Sequence, residues 1–259
     1  MIKSIFFDID GTLVSFNTHR IPRSAVEAIT LAKRRGVRIF ISTGRPFPLI
    51  DNIGEIRHLV DGYITVNGAC CFIGPRIISC TPIPGDDVRT VLRLSEEMDF
   101  ATLVAGEKTL AMYNDKPYAD EIFRRLLDVG GLKGGITAES VLKERVLQFT
   151  PVVTRELEEM IMPQLPGCVS SRWCPEFADI TAKGVDKGKG LMAVISDQNL
   201  RIEETMAFGD GGNDMAIIRS AGLGVAMGNA GDSLKKVAGY VTDTVDDDGI
   251  SKALQKFVL

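Results

Sequence analysis

Two carboxylates follow an apolar, strand-like run near the N-terminus. In the stretch FFDIDGT, residues 6–12, Asp8 and Asp10 are separated by one residue, and Gly11 comes next. Residues i and i+2 of a strand lie on the same face, so both carboxylates can reach one ligand. Desolvating an unpaired carboxylate is costly, so the pair needs a cation, hydrogen-bond donors or a chemical role. Taken alone, the pair is also typical of a turn, because Asp-Gly is common there.

Polar residues with related chemistry follow other strand-like runs. The sequence STGR occupies residues 42–45, GDGGND occupies residues 209–214, and Lys187 stands at the start of a predicted helix. In an open parallel sheet, ligands bind at the carboxyl ends of the strands. We therefore expect these segments to meet Asp8 and Asp10 at one edge of a sheet.

These residue types suit a phosphate group and a hard cation. Asp8 and Asp210 can supply the oxygen ligands that Mg²⁺ prefers, usually a few carboxylates together with waters and a substrate phosphate. The Thr43 hydroxyl and the Gly44 backbone N–H suit phosphate oxygens, and Lys187 adds a compact positive charge. The phosphate-loop pattern GxxxxGK[ST] does not occur in the sequence. The sequence therefore predicts a magnesium–phosphate site of another kind.

A site of this kind can transfer a phosphoryl group. One carboxylate can attack phosphorus and form an aspartyl phosphate. A second carboxylate, two residues further on, can protonate the leaving-group oxygen and later take a proton from the water that hydrolyses the intermediate. Gly11 then lets the chain turn away sharply. Together with the two other motifs, this pattern favours phosphoryl transfer over a turn-capping pair.

The spacing of apolar residues predicts an α/β protein that carries an insertion. Three continuous apolar runs are typical of buried parallel strands joined by right-handed crossovers: 3–9, 37–42 and 61–66. Between residues 83 and 180 the pattern changes to amphipathic helices mixed with antiparallel strands, and the α/β pattern then returns. We predict a doubly wound, Rossmann-like core formed by residues 1–82 and 181–259. An α+β domain at 83–180, called the predicted cap below, interrupts that core.

The composition is that of an ordinary globular protein. Of 259 residues, 45% are hydrophobic and 25% are charged, and the formal net charge of −4 predicts no nucleic-acid partner. The five cysteines, without a zinc-like CxxC pair, indicate reduced thiols in a cytoplasmic protein. The N-terminal apolar stretch is interrupted by Asp8 and Asp10, unlike a signal peptide. No apolar run approaches the roughly 18–20 residues of a membrane span, so no membrane association is predicted. We expect a monomer or a weak homo-oligomer.

The motifs DxDGT, STGR, a helix-start lysine and GDGGND, in this order, resemble those of the haloacid dehalogenase (HAD) superfamily. The predicted cap resembles the type IIB cap of the Cof-like sugar-phosphate phosphatases. The resemblance implies that Asp8 is the nucleophile and Asp10 the general acid/base. The implied magnesium ligands are Asp8, the Asp10 carbonyl and Asp210. The implied phosphate contacts are Thr43, Gly44, Lys187 and Asn213, and Asp214 resembles a residue that orients Lys187 or a water on the metal.

The function that this resemblance implies is Mg²⁺-dependent hydrolysis of a small phosphate monoester, with the chain acting as a phosphoric monoester hydrolase. By the same resemblance the substrate is a sugar phosphate, such as a hexose or pentose phosphate. Two alternatives stay open: a phosphotransferase of the phosphohexomutase type, and a non-catalytic sugar-phosphate sensor. Arg45 is either a structural ion-pair partner or a substrate contact. In the predicted cap, Arg172 and Trp173 are possible substrate contacts, although packing explains the tryptophan equally well.

Overall fold

The computed structural model of the chain describes residues 1–127, 135–172 and 174–259. Trp173 and the last two residues of a helix that the sequence predicts over 116–129 lie outside the described residues. The chain divides into two compact units. The first unit comprises Met1–Arg45, Ile50–Cys80 and Asp186–Leu259, and the second comprises Pro46–Leu49 and Thr81–Val185.

The secondary structure alternates strands and helices in both the N-terminal and the C-terminal parts of the chain. The described strands are β1 (Ser4–Phe7), β2 (Arg38–Ser42), β3 (Gly62–Thr65), β4 (Cys70–Ile73), β5 (Arg76–Cys80), β6 (Thr102–Ala105), β7 (Leu110–Tyr113), β8 (Gln148–Pro151), β9 (Cys168–Ser171), β10 (Asp179–Ala182), β11 (Thr205–Gly209), β12 (Leu223–Ala226) and β13 (Tyr240–Val241). The described α-helices are α1 (Arg23–Arg34), α2 (Gly85–Glu97), α3 (Pro117–Leu127), α4 (Ala138–Val141), α5 (Arg155–Ile161), α6 (Lys187–Gln198), α7 (Met215–Ser220), α8 (Asp232–Lys235) and α9 (Gly249–Phe257).

The first unit is built on an eight-stranded sheet with the order β13-β12-β11-β1-β2-β3-β4-β5. The strands from β13 to β3 pair in parallel, and β4 and β5 add an antiparallel hairpin at one edge. Strand β1 lies inside this sheet, and all four of its residues are buried, as its unbroken apolar sequence predicts. Strands β2, β1 and β11 are neighbours in the sheet, so three strand ends with polar motifs lie side by side.

Side chains of β1 pack on both faces of the sheet, because neighbouring residues of a strand point in opposite directions. Phe6 stacks on Phe40, with ring centroids 4.9 Å apart, in a cluster that also contains Leu191 of α6 and Ile217 of α7. Phe7 stacks on Phe208 at 5.0 Å. The packing holds β1, β2 and β11 in register and therefore fixes the positions of the residues that follow them.

Helix α6 begins at Lys187 because the preceding residue caps it. The Asp186 side chain accepts a hydrogen bond from the Lys189 backbone N–H at 2.8 Å, a typical N-cap contact. Helices usually start at such a residue, and this start sets Lys187 on the first turn. The apolar face of α6, including Leu191 and Val194, packs into the buried cluster described above.

The second unit contains a five-stranded antiparallel sheet with the order β7-β6-β8-β10-β9. One face of this sheet contributes Val104, Phe149 and Ile180 to a buried cluster with Val91 and Leu94 of α2. Every residue of β6 and β8 is buried, because the opposite face of the sheet, which carries Leu103, packs in a second buried cluster with Phe123 and Phe177.

The predicted fold class, a doubly wound α/β core with an inserted α+β segment, is confirmed by this architecture. Among the described α-helices, the four-residue helix α4 is one that the sequence pattern did not predict. Thr137 caps it by accepting a hydrogen bond from the Ser140 N–H. A helix of this length carries too few apolar positions to show a period. Across the described ranges, none of the helices has the length and apolar character required to cross a bilayer.

A buried carboxylate at the entrance to β11 offers a stability test of the first unit. The Glu204 side chain is 6% exposed and accepts contacts from Lys3 Nζ at 2.7 Å and from the Arg201 backbone N–H at 2.9 Å. The hydrogen bond from Lys3, followed by those from Arg201, lowers the pKa of Glu204 to about 2. Because an unfolded glutamate has a pKa of about 4.3, the ionised form stabilises the fold.

We expect Glu204→Gln to lower the urea midpoint of unfolding at pH 7. The contribution of Glu204 is fully present above the unfolded pKa of about 4.3 and is lost as the pH falls through about 2. The difference in midpoint between variant and wild type should therefore shrink below pH ~4. Urea titrations at pH 7, 4 and 3 measure it, with the exposed neighbour variant Glu203→Gln as the control. A difference that does not change with pH contradicts the role of the charge.

Candidate active site

The ends of β1, β2 and β11 bring the predicted site residues together. Asp8 follows β1, and its backbone N–H donates to the Phe208 carbonyl at 3.1 Å, which ties it to the neighbouring strand. Thr43 follows β2, and its N–H donates to the Ile64 carbonyl at 2.8 Å. Asp210 follows β11. The convergence expected from parallel strands is therefore present.

Lys187 lies between two carboxylates and is fully buried. Its Nζ lies 2.5 Å from Asp8 Oδ1 and 2.6 Å from Asp214 Oδ1. Desolvation opposes the charge on Lys187, but the carboxylates of Asp214 and Asp8 outweigh it and raise the pKa of the lysine. The lysine is therefore a permanent cation. The other oxygen of Asp8 accepts no hydrogen bond from any residue that the structure describes.

Asp214 is held by donors at both of its oxygens. Oδ1 contacts Lys187, while Oδ2 accepts hydrogen bonds from the backbone N–H groups of Asp210 at 3.0 Å and Gly211 at 2.9 Å. With both oxygens engaged, Asp214 is built to orient Lys187 and the GDGGND turn. The orienting role that the resemblance implies for Asp214 stays a prediction.

Asp210 is oriented by two residues that the sequence analysis did not single out. Thr12 Oγ1 donates to Asp210 Oδ1 at 2.7 Å, and Asn229 Nδ2 donates to the Gly11 carbonyl at 2.8 Å and lies 3.4 Å from Asp210 Oδ2. The DGT motif carried a signal for Thr12. Nothing in the spacing connects Asn229 with Gly11. Burial raises the pKa of Asp210 to about 6, with the Asp214 carboxylate adding to the shift.

Gly11 is required by the close approach of two site segments. Its φ of +85° lies in the left-handed region, and a Cβ at this position would come within 2.3 Å of Asp210 Oδ2. Any other residue would therefore be strained and would displace Asp210. The glycine of the DxDGT motif serves the packing of the site as well as the turn.

The charges of the buried cluster do not balance, which gives a direct test of whether a metal ion fits. Oxygens of Asp8, Asp210 and Asp214 all lie within 4.8 Å of one another, and one of these carboxylates is matched by Lys187. Burial first, and then the Asp214 carboxylate, raise the pKa of Asp8 well above its ordinary value. A hard divalent cation on these oxygens would neutralise the remaining two charges. The residues therefore fit a cation such as Mg²⁺.

Asp10 is held in an ion pair with Arg45. Arg45 Nε lies 2.8 Å from Asp10 Oδ2 and Nη2 lies 2.8 Å from Oδ1, so the contact is bidentate. Arg45 also lies 3.9 Å from Asp51. Hydrogen bonds to Asp10 and the negative charges of Asp10 and Asp51 raise the pKa of Arg45, although burial opposes the shift. Of the two roles left open for Arg45, the structure shows the ion pair. The Asp10 carbonyl oxygen accepts no hydrogen bond from the described residues.

Thr43, Gly44 and Asn213 present polar groups near the carboxylates. The Thr43 hydroxyl accepts a hydrogen bond from the Arg45 N–H at 3.0 Å, which leaves its own hydrogen to donate. Asn213 follows Asp210 in the same turn, and its Nδ2 donates to Asn67 Oδ1 at 3.0 Å. The predicted phosphate contacts are therefore grouped at the same strand ends. Their contact with phosphate stays a prediction.

Arg172, in the second unit, is held by contacts with residues of that unit. Its Nε contacts Glu158 Oε2 at 2.7 Å, and its Nη atoms donate to the carbonyls of Val153, Cys174 and Pro175. These contacts use most of its N–H groups and account for its burial by a structural role. A substrate contact of Arg172 stays a prediction, and Trp173 lies outside the described residues.

Known proteins resemble this chain over almost its full length. A family model for haloacid dehalogenase-like hydrolases matches residues 5–254. A solved structure described as a HAD subclass IIB sugar phosphatase is 44% identical, covers 98% of each chain and has a TM-score of 0.85. Among curated relatives, 5-amino-6-(5-phospho-D-ribitylamino)uracil phosphatase YcsE of Bacillus subtilis is 30% identical, with 100% of this chain and 96% of the relative covered. Phosphoglycolate phosphatase of Methanobrevibacter smithii is 29% identical, with 100% and 99% covered.

The family match spans almost the whole chain and includes every motif that carried the resemblance. It confirms the predicted family and the predicted enzyme class, a phosphoric monoester hydrolase. The chain belongs to the haloacid dehalogenase-like hydrolases.

Proposed function

We propose that the chain hydrolyses small phosphate monoesters, with sugar phosphates as its substrates, through a phosphoryl group carried on Asp8. The observation that carries this proposal is the buried cluster in which Lys187 contacts Asp8 and Asp214 while Asp210 lies beside them. A structural ion pair would not require an excess of two negative charges on two buried carboxylates and one half-buried carboxylate. A site that binds a cation and a phosphate group would.

The reaction assigned to these residues has two steps. In the first, an Asp8 carboxylate oxygen attacks phosphorus, the bond from phosphorus to the ester oxygen breaks, and Asp10 donates a proton to the leaving alcohol. In the second, Asp10 takes a proton from water, the water oxygen bonds to phosphorus, and the bond to Asp8 breaks to release inorganic phosphate. Lys187 holds the Asp8 carboxylate in place and balances charge during both steps.

The metal expected at this site is Mg²⁺, held by Asp8, the Asp10 carbonyl and Asp210. When bound, it would supply positive charge to the phosphate oxygens and to the nucleophile. The Asp8 oxygen that accepts no hydrogen bond and the Asp10 carbonyl that accepts none within the described ranges support this choice. Asp214 is a poorer ligand because donors engage both of its oxygens.

The ion pair with Arg45 limits how Asp10 can act. Both carboxylate oxygens of Asp10 accept hydrogen bonds from the guanidinium. A general acid must present a protonated oxygen to the leaving group, so one of these contacts has to open during the reaction. Arg45 would therefore control when Asp10 can act as the general acid, because Asp10 must first leave the bidentate ion pair.

The substrate class is supported by similarity to other proteins, whereas the reaction is supported by the side chains of the site. The 44% identical relative is described as a sugar phosphatase, whereas two other relatives are named for a ribitylamino-uracil phosphate and for phosphoglycolate. All three act on a small phosphate monoester by their descriptions. A sugar phosphate is favoured because the sugar phosphatase is the most similar of these three, at 44% identity. We assign the choice among esters to the predicted cap at 83–180, because an inserted domain can supply substrate contacts that the motifs do not fix.

The test is release of inorganic phosphate from a panel of hexose phosphates, pentose phosphates, phosphoglycolate and p-nitrophenyl phosphate. We expect turnover with Mg²⁺, its loss with EDTA and its recovery when Mg²⁺ is added back. The highest kcat/KM should belong to a sugar phosphate. Turnover that survives EDTA contradicts the metal assignment, and a best substrate that is not a sugar contradicts the substrate class. Transfer of the phosphoryl group to a sugar hydroxyl without release of phosphate would indicate the phosphohexomutase-type alternative.

A further inference from the structure

Asn67 is the second residue after β3, at the same end of the sheet as the site described above. It is the middle residue of three successive residues in the left-handed region, with φ values of +50° for Val66, +51° for Asn67 and +97° for Gly68. Val66 is fully buried and β-branched, and such residues rarely adopt positive φ. Backbone strain of this kind persists only where the surroundings fix it, and it occurs often at functional sites.

Tertiary contacts hold this strained segment in place. The Val66 N–H donates to the Arg45 carbonyl at 3.2 Å, and the Asn67 N–H donates to the Thr43 carbonyl at 3.0 Å. Gly68 packs against the start of α6, where a Cβ would lie 2.2 Å from the Asp186 carbonyl oxygen. The segment is therefore fixed between the STGR motif and the helix that carries Lys187.

The result is a side-chain amide placed between two predicted phosphate contacts. Asn67 Oδ1 accepts the hydrogen bond from Asn213 Nδ2 at 3.0 Å. A Cβ built on Gly44 would lie 3.2 Å from Asn67 Oδ1 and 3.3 Å from Asn67 Nδ2, so the Asn67 amide packs closely against Gly44. Within the described ranges of the chain, Asn67 Nδ2 donates to no protein atom, although the side chain is half-buried.

We propose that Asn67 is a further phosphate-contacting residue, whose Nδ2 donates a hydrogen bond to a phosphoryl oxygen beside Gly44. The proposal rests on the proposed function, because it takes a phosphate group as the ligand. Its acceptor contact with Asn213 fixes the orientation of the amide, so that Nδ2 and its two hydrogens face the ligand. A neutral donor at this point gives the phosphate a hydrogen bond in addition to its contact with Lys187, and it leaves the net charge of the site unchanged.

Two substitutions keep the left-handed backbone and remove the donor. Asn67→Gly deletes the amide, and Asn67→Asp keeps an acceptor for Asn213 but replaces both N–H donors with an anionic oxygen; both residues tolerate positive φ. We expect inorganic phosphate, measured by calorimetry with Mg²⁺ present, to bind about 10- to 100-fold more weakly to Asn67→Gly. Asn67→Asp should weaken it further, because its charge repels the ligand. Thermal unfolding should show both variants folded.

The matched control is Asn199, an exposed left-handed asparagine at the end of α6, with φ of +50°. Asn199→Gly and Asn199→Asp should leave phosphate binding within about twofold of the wild type. Asn199 shares residue type and backbone conformation with Asn67 but lies at the other end of the helix from Lys187. Any effect of the Asn67 variants that the control lacks therefore comes from position at the site.

A double-mutant comparison separates direct contact from mere support of Asn213. If Nδ2 contacts phosphate, Asn67→Gly should still weaken phosphate binding in an Asn213→Ala background. If the substitution has no further effect there, Asn67 acts only by holding Asn213, and the proposal is overturned. Unchanged phosphate affinity in folded Asn67→Asp overturns it as well.

The binding measurement also separates this proposal from the proposed function. A wild type that binds inorganic phosphate through Asn67 but releases none from any ester would end the hydrolase assignment and keep the Asn67 contact. If the wild type turns over esters and the Asn67 variants bind phosphate as well as the wild type does, the hydrolase assignment is kept and the Asn67 contact is excluded. A wild type that binds no phosphate with Mg²⁺ present overturns both.

Discussion

Replacing Asp8 with asparagine is expected to lower kcat for phosphate release by about 10⁴-fold or more, because the nucleophile is lost and the general acid/base has no intermediate to act on. The substitution preserves shape, and the amide oxygen can still accept the contact that Lys187 makes with Asp8 at 2.5 Å. A lasting rate above one hundredth of the wild-type kcat would exclude Asp8 as the nucleophile.

The same substitution should not destabilise the metal-free protein. Three carboxylates share a buried cluster with one lysine, so ionised Asp8 is repelled by Asp214 and Asp210 and is poorly solvated. Neutralising one of the three relieves repulsion, and sites arranged for chemistry often gain stability when they lose a charge. We therefore expect the melting temperature in EDTA to equal or exceed that of the wild type.

The effects of Asp8→Asn on kcat and on the melting temperature need a control for the loss of one negative charge. Asp232 is exposed at the start of α8, and Asp232→Asn removes one negative charge there. It should leave kcat unchanged and the melting temperature close to that of the wild type. A fall of more than about 5 °C in the melting temperature of Asp8→Asn in EDTA would contradict the excess of negative charge in the cluster.

The aspartates and Lys187 could be predicted from the sequence because topology, and not side-chain detail, brings them together. Continuous apolar runs predicted parallel strands, and the carboxyl ends of parallel strands meet at one edge. The motifs stood at those ends, so Asp8 and Asp210 had to be neighbours despite their separation in the chain. The cap of α6 by Asp186 likewise set Lys187 at the start of a helix.

Other site residues could not be found in this way. Asn67 reaches the site through a left-handed backbone at Val66, which propensity rules disfavour for a β-branched residue. Asn229 contacts the Gly11 carbonyl across 218 residues of sequence, and no periodicity encodes that contact. The pairing of Arg45 with Asp10 was one of two open choices because a long side chain has several partners within reach until the strands are packed.

Removing the buried cation is expected to destabilise the fold as well as to lower activity. Lys187→Met keeps an unbranched side chain, one atom shorter, but leaves the carboxylates of Asp8 and Asp214 without the cation that they contact at 2.5 and 2.6 Å. Removing one partner of a buried ion pair costs about 3–5 kcal/mol in the free energy of unfolding. Turnover should fall by at least about 10³-fold, since charge balance at the phosphoryl group is lost.

Mg²⁺ and a second substitution show whether charge is the cause. In urea unfolding, Mg²⁺ should restore part of the lost stability of Lys187→Met, because a cation that binds only the folded state stabilises it. Adding Asp214→Asn should also restore stability by removing one unpaired carboxylate, but it should not restore turnover. The double variant therefore separates the folding role of the lysine from its role in the reaction.

Lys189 supplies the matched control for Lys187, two residues further along the same helix. Its side chain is exposed, whereas that of Lys187 is fully buried, so Lys189→Met should change the free energy of unfolding by less than about 1 kcal/mol. It should also leave kcat unchanged. If Lys187→Met proved as stable as Lys189→Met in EDTA, the carboxylates around it would have to be protonated in the metal-free protein. The buried cluster would then carry no excess charge for a divalent cation to neutralise, and the strongest physical reason for placing Mg²⁺ there would be gone.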